Sequence, residues 1–466
     1  MTHRPTSETI EAREVAAELL YRIVEKGAFA NLSLEKELAG KQLSSADKNL
    51  VTEIVNGTVR MLKHLDWVLD LFLTSEIKAM NPWLRTILRM AAYQIMFMDK
   101  IPVYAAIDEA VNLTKQKTNK NLSRVTNGVL RNLVRNVKEI RYPEDETQYL
   151  AVYFSHPEWI VTLLLSRFGR RQAEEILKHN NSAPRLVLRN NQLRGTRLEL
   201  IEILQQQNID CELNDRTPWA VTVKKMNMAL ENTDAYIKGR FYVQNEASML
   251  AAAILQVMPG HFVYDLCSGV GGKTTHLAEN MQNKGMIKAY ELYDKKIKLL
   301  RSNCDRLGIN IVDPLRQDVL SIDKELPAAD RVLLDAPCSG LGVMQRRSDL
   351  RWRQTPQSIL QLTRLQADLL NKAGELVAGG GLLLYATCTV NDLENEGVVT
   401  QFLKENPDYA LESFDREITY FALDEYDETC AARGMLTIIP GKYQTDGMFY
   451  ALLRRKGWSA HGNRKN

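Results

Sequence analysis

The sequence predicts an α/β chain: a doubly wound, mostly parallel sheet in the C-terminal half, behind an all-helical first part and a small α+β second part. Three observations carry this prediction. From about Gly239 onward, short apolar strands alternate with helical stretches; a glycine-rich loop follows the first of those strands; and up to about residue 145 only helical spacing is visible. At 466 residues the chain is also too long for one ordinary core, so separate domains are expected over 1–145, 146–238 and 239–455, with a disordered tail over 456–466.

In the first part Ala12, Ala16, Leu19, Leu20 and Ile23 recur at helical spacing, and a second helix opens at Asn81-Pro82 with Leu84, Ile87, Leu88, Ala91 and Ile95 on one stripe. Lys115 to Arg141 then carries eight basic residues against the single acid Glu139. On a helix over Asn121–Lys138, Arg124, Arg131, Arg135 and Lys138 share a face, while Val125, Val129, Leu130, Leu133 and Val137 can bury another. A solvated helix face gives the same charge pattern.

The second part shows a helix over Pro157–Lys178, a strand Leu186–Leu188, a helix Thr196–Gln207 and a strand Val221–Val223, which reads as one βαβ-like unit plus a helix. Arg185, Arg189, Arg194 and Arg197 are candidates to line a groove.

In the third part the strand Phe262–Leu266 feeds the loop Asp265-Leu266-Cys267-Ser268-Gly269-Val270-Gly271-Gly272-Lys273, and a helix follows from Lys273. The strand Met286–Leu292 carries Glu291, and another strand precedes Asp318. Two short apolar strands, Arg331–Leu334 and Leu382–Tyr385, lead into Cys338 and Cys388, with a helix Gln357–Val377 between them. Met435–Ile439 and Met448–Leu453 suit an antiparallel edge hairpin.

A glycine loop alone serves nicotinamide, flavin, phosphate or S-adenosylmethionine equally well. Here the dinucleotide pattern breaks, because Thr274 stands where the last glycine belongs. Acids frame the loop instead. Asp265 suits a cationic amino-acid group, Glu291, 20 residues after Gly271, suits ribose hydroxyls, and Asp318 suits an adenine amine. Carboxylates repel a pyrophosphate but favour the ammonium and sulfonium of S-adenosylmethionine. The expected cofactor set is therefore Cys267, Ser268, Gly269, Val270, Gly271, Gly272, Lys273, Glu291, Asp318 and Asp335, with the Cys267 thiol itself reading as packing.

An isolated cysteine is usually an inert core residue. Two at matching strand ends, one in Asp335-Ala336-Pro337-Cys338 and one in Ala386-Thr387-Cys388, point to covalent chemistry in one crevice. Methylating carbon 5 of a pyrimidine requires that carbon to be made nucleophilic, and thiolate addition to carbon 6 does so. One thiol attacks and a second can assist its expulsion. Asp335 can bond the exocyclic amine or N3 of cytosine, and Lys273 can favour a thiolate.

These motifs, with Gln244-Asn245-Glu246-Ala247-Ser248 and Asp446-Gly447-Met448-Phe449, resemble the RNA cytosine-5 methyltransferases of the Sun or NOL family, in that family's motif order. The first part is similar to the NusB-type RNA-binding helical domain that precedes this Rossmann-like module in the family's bacterial 16S rRNA members. The resemblance covers nearly the full chain. It implies Cys388 as nucleophile, Cys338 as the thiol needed for product release, S-adenosylmethionine as cofactor and 16S rRNA as partner. The Pro337-Cys338 pair also resembles the nucleophile motif of DNA cytosine methyltransferases, and the Thr387-Cys388 motif decides for Cys388. The chain departs from the family where Ser268-Gly269-Val270 replaces Ala-Ala-Pro, which loosens the turn, and at Asn245, where Asp is more usual.

Beside the first cysteine, the stretch from Gln345 to Arg353 sets four arginines against one acid. Arg346 and Arg347 suit phosphates, and Trp352 suits either a displaced base or a core anchor for the next helix. A net charge of +3 is too small for the whole field to attract RNA, so local patches must. The six cysteines lack a C-x-x-C pair, and no apolar run approaches a membrane span, so reduced thiols, no metal, no membrane, a cytosolic address and a monomer are expected. A tRNA cytosine-5 methyltransferase, or an rRNA-binding assembly factor with an idle catalytic domain, are the alternatives.

Overall fold

The structure, a computed structural model, describes residues 7–226, 228–322 and 326–457, and the chain divides into two compact units. One spans residues 1–182 together with 344–353, and the other holds the remainder. From residue 458 onward the tail expected to be disordered lies outside the described residues.

The first unit is helical. Its centre is the helix Pro82–Phe97, started by Asn81, whose side chain accepts from the amides of Trp83 and Leu84 while Pro82 occupies the first turn. Leu84, Ile87, Leu88 and Ala91 are buried against Ala12, Ala16, Leu19 and Ile23, so the helical stripes form the core. The basic helix runs Lys120–Asn136 and passes into a 3-10 turn, Val137–Glu139. Arg124, Arg131, Arg135 and Lys138 are all exposed, and Val129, Leu130 and Leu133 are buried behind them. Val125 departs from expectation at 39% exposed, because Ser123 and Thr126 take the inward positions instead.

Residues 344–353 belong to this unit although they follow the Cys338 loop in sequence. Arg351 is fully buried and donates to Ser155 O (3.1 Å), Asn180 O (3.1 Å) and Asn181 Oδ1 (2.8 Å). The Trp352 indole donates to Val59 O at 2.7 Å and packs on the helical core. This corrects the base-stacking role considered for Trp352, since both its polar atom and its packing are committed to the helices. Arg346 and Arg347 remain exposed.

In the second unit, β1 (Leu186–Asn190), β2 (Asp210–Leu213), β3 (Ala220–Lys225) and β4 (Phe241–Val243) form a sheet in the order β2-β3-β1-β4. Every pairing is antiparallel, so the two strands read as a βαβ-like unit, β1 and β3, are antiparallel neighbours, and the strand that runs parallel to β1 after the helix is β2, which is absent from that reading. The helix Arg197–Gln206, closed by a Thr196/Glu199 capping box, leads into β2, which pairs with β3 rather than with β1. β4 lies past the boundary expected at 238.

The larger sheet contains β5 (Phe262–Asp265), β6 (Met286–Glu291), β7 (Val312–Arg316), β8 (Ala329–Asp335), β9 (Val377–Thr387), β10 (Tyr409–Leu411), β11 (Met435–Ile438) and β12 (Met448–Arg455). Its order is β10-β12-β9-β8-β5-β6-β7, with β11 also paired to β12. β5 to β9 run parallel and β12 is antiparallel to β9. β11 and β12 form the antiparallel hairpin expected from the sequence, and β12 pairs with β9 on its other side, so it lies inside the sheet, consistent with the burial of Met448 to Leu453. The central strands are apolar on both faces because helices cover both, with Val332, Leu333 and Leu334 of β8 and Leu382 to Ala386 of β9 fully buried. No described helix is long and apolar enough to cross a membrane.

Candidate active site

Parallel pairing aligns Leu333 with Leu384 and Asp335 with Ala386, so the two cysteine segments leave the sheet side by side. Ala336 N–H still donates to Ala386 O (2.9 Å), and Gly342 N–H donates to Cys388 O (2.9 Å). The loops are thereby zipped together beyond the strands. Their thiols stand with Sγ atoms 3.1 Å apart, and the Cys388 amide donates to Cys338 Sγ at 3.2 Å. Both side chains are partly exposed. The contact with Cys388, burial, and the nearby charge of Glu394 push the Cys338 thiol well up, so it keeps its proton at neutral pH. Its S–H is then available to Cys388.

Sequence reasoning missed the group that organises this pair. Glu394 is fully buried six residues beyond Cys388, and its carboxylate accepts from Ser339 N (2.8 Å), Ser339 Oγ (2.5 Å) and Gln366 Nε2 (3.0 Å). Gln366 also donates to Pro337 O, and Tyr385 OH donates to Glu394 O. One carboxylate thus holds both cysteine loops. The only local signal is an acid inside a short turn-rich stretch, Asn391-Asp392-Leu393-Glu394-Asn395, which looks like solvent-exposed loop.

Lys273 and Asp335, expected to act on the base together, meet at 2.6 Å. Burial opposes the lysine charge, but Asp335 outweighs it, with Cys388 and Asp265 adding, so the ammonium is held more firmly than in a free lysine. Cys267 packs against the cluster containing Tyr264 and Leu334, and burial raises its thiol far above the ordinary range, in agreement with a packing role for that side chain.

On the cofactor side, Gly269 (φ +58°) and Gly271 (φ +93°) adopt left-handed conformations. A side chain at Gly271 would also meet Leu300, whose Cδ1 would lie 2.4 Å from the added Cβ. Gly269 has open space around it, so only its backbone angle requires glycine. Ser268 is tied to Tyr290 O through its amide (2.9 Å) and hydroxyl (3.0 Å). Val270 is 37% exposed and its carbonyl accepts from Asn303 at 2.9 Å. Glu291 closes β6, buried, accepting from Tyr293 N (3.0 Å) and Lys296 Nζ (3.2 Å). Asp318 is exposed and caps the turn at Leu320 (3.0 Å).

Asp265 is the telling residue of the loop. Its Oδ2 accepts from Thr274 Oγ1 at 2.6 Å, whereas Oδ1 is buried and no donor reaches it with hydrogen-bond geometry. Burial pushes this carboxyl up to about 7, eased by Thr274 and reinforced by Asp335. An unpaired buried carboxylate oxygen fits a cationic ligand group, and the acids around the loop disfavour a phosphate. The residues present therefore fit S-adenosylmethionine. No cluster of potential metal ligands occurs among the described residues.

Comparison with known proteins agrees with this arrangement. Residues 252–454 match the family described as 16S rRNA methyltransferase RsmB/F, residues 10–135 the NusB family, and residues 156–229 the RsmF/B-like ferredoxin-like domain. Over 449 residues the chain is 34% identical to the probable ribosomal RNA small subunit methyltransferase B of Bacillus subtilis (strain 168), covering 96% of this chain and 99% of that protein. It is 28% identical over 454 residues to the ribosomal RNA small subunit methyltransferase B of Proteus mirabilis (strain HI4320), covering 95% of this chain and 98% of that one. Among solved structures, the crystal structure of PH0851 superposes with a TM-score of 0.81 at 27% identity, covering 98% of this chain and 100% of that one. NSun6 from Pyrococcus horikoshii, solved with SFG, shares the fold at a TM-score of 0.57 and 22% identity, covering 64% of this chain and 98% of that one.

Proposed function

The chain belongs to the ribosomal RNA small subunit methyltransferase B family, and from that premise we propose that it methylates carbon 5 of a cytosine in 16S rRNA through a covalent adduct to Cys388. The 3.1 Å thiol pair at the ends of β8 and β9 is the observation that carries this reading. An RNA methyltransferase has no need of two adjacent thiols unless carbon 6 is attacked and later released.

Asp265, the loop 267–273, Glu291 and Asp318 would hold S-adenosylmethionine, which supplies an electrophilic methyl group when bound. The chain's own residues, with solvent water, do the rest. Cys388 as thiolate forms a bond to carbon 6 of the cytosine, and the displaced electron pair makes carbon 5 nucleophilic. Asp335, held by Lys273, accepts the exocyclic N–H of the base and so selects cytosine over uracil, whose carbonyl offers no proton there. After methylation, solvent water acting as base takes the carbon 5 proton, and the electrons of that C–H bond return to the ring and break the carbon–sulfur bond. Cys338, protonated and beside the leaving sulfur, donates its S–H to the departing thiolate. Removing that donor slows release more than attack.

The exposed basic face of Arg124, Arg131, Arg135 and Lys138, with Arg346 and Arg347, supplies phosphate contacts in this reading. The target base must leave its stack to reach Cys388, which costs a few kcal/mol and favours a loop cytosine. Incubating the full chain with tritiated S-adenosylmethionine and protein-free small-subunit rRNA, then mapping the label, tests the proposal. Label on carbon 5 of one loop cytosine is expected; label on tRNA alone, or on another atom of the base, would overturn it.

A further inference from the structure

We propose that Arg189, in the small antiparallel sheet, is a positioning residue that clamps the cofactor loop of the neighbouring sheet from behind. Arg189 lies on β1 and is fully buried. Its Nη1 donates to Gln244 Oε1 (2.5 Å) and to the backbone carbonyl of Gly272 (2.6 Å). Its Nη2 donates to Thr275 Oγ1 (2.8 Å) and Glu279 Oε1 (2.7 Å). Thr275 relays the grip, since its hydroxyl donates to Gly271 O at 2.7 Å. The guanidinium, lying 5.2 Å from the Tyr242 ring centroid, thereby fixes the carbonyls of two successive loop glycines.

The location of these contacts gives them a purpose. Gly271 and Gly272 immediately precede Lys273, the partner of Asp335, and Gly271 itself sits at φ +93°. The same loop carries Gly269 at φ +58° with open space around it, and lacks a proline. Glycine here costs conformational entropy that a ligand must supply on binding, unless the fold supplies it first. A rigid, planar, five-donor group on a different sheet supplies it from outside the loop. Gln244 of the Gln-Asn-Glu-Ala-Ser motif thereby acquires a role, as the acceptor that orients Arg189. Glu279 neutralises the buried charge, both side chains being fully inaccessible.

The clamp rests on the reading that this loop binds S-adenosylmethionine. Calorimetric titration of the full chain with S-adenosylmethionine tests it, comparing wild type with Arg189→Lys, which keeps the charge but cannot reach all four acceptors. The dissociation constant is expected to rise about tenfold or more, with kcat at saturating cofactor within about twofold of wild type. The double variant Arg189→Met/Glu279→Met replaces the buried pair with apolar groups of similar length and is expected to fold and to show the same weakening. Unchanged affinity in either folded variant, with only a lower Tm, would reduce Arg189 to a structural residue and overturn the clamp. Collapse of both variants would do the same, because the ion pair would then hold the whole unit. A wild-type chain that binds no S-adenosylmethionine would instead defeat the cofactor reading on which the clamp depends.

Discussion

The two ends of the catalytic crevice are built on opposite principles. At the thiol end, where β8 and β9 finish, the loops are tied by a network of side-chain hydrogen bonds: Glu394 engages Ser339 and Gln366, and Thr387 Oγ1 donates to Asn395 Oδ1 at 2.6 Å, with Gln366 Oε1 left unpaired. At the cofactor end, where β5 finishes, Asp265 Oδ1 is left without a donor and two glycines sit at positive φ. A nucleophile that must meet one carbon atom at bonding distance benefits from a site fixed in advance. A ligand pocket can leave a charge unsatisfied, because the ligand completes it, and part of the binding energy comes from that completion. Rigidity at the first end is internal, through Glu394. At the second it is imposed from the adjoining sheet, through Arg189.

Breaking the internal brace has the largest consequence for the fold. Glu394→Ala leaves the donors of Ser339 and Gln366 buried and unpaired, which is expected to cost about 3 kcal/mol of stability in urea denaturation, together with most of the activity. A loss below about 1 kcal/mol would show that water replaces the carboxylate without difficulty.

The unsatisfied carboxyl at the other end sharpens the contrast through pH. Asp265 is pushed up to about 7 by burial, so in the cofactor-free protein its contribution to stability is present below its ordinary carboxylate range and is lost as pH rises through about 7. Binding a cation has the opposite preference. S-adenosylmethionine affinity should weaken by about tenfold per pH unit below 7, and Asp265→Asn should flatten that slope while weakening binding at pH 7. Calorimetry between pH 5.5 and 7 distinguishes this from a pH-independent site.

The smallest expected effect lies in the helical unit. Trp352→Phe removes the bond to Val59 O and should cost about 1 kcal/mol, with RNA affinity unchanged in a filter-binding titration. A selective loss of RNA affinity would restore the stacking role that the packing argues against.

Much of this was legible in the sequence because it depends on local order along the chain. Cys338, Cys388, Lys273 and Asp335 could be placed in one crevice since strands of a doubly wound sheet deliver their C-terminal ends to one side, and the glycine loop marks the first of them. The basic face of the helix Lys120–Asn136 followed from helical spacing alone. What failed depends on long-range pairing. Nothing near Leu186 says that β1 lies between β3 and β4, and nothing near Met448 says that β12 inserts beside β9. Trp352 sits in a basic, polar stretch whose residues return to the helical unit, a crossing invisible to periodicity. Glu394 and Arg189 share one obstacle: a charged residue is read as exposed by default, and burial with partners far off in sequence is visible only once the chain is folded.

Separating the two thiols tests the central claim most directly. The full chain carrying Cys338→Ala, incubated with rRNA and S-adenosylmethionine and run on a denaturing gel, should accumulate a covalent protein–RNA species that disappears when Cys388→Ala is added. A species that survives loss of Cys388 but not of Cys338 would reverse the roles, and no covalent species in any variant, with methylation intact in Cys388→Ala, would contradict the adduct mechanism altogether.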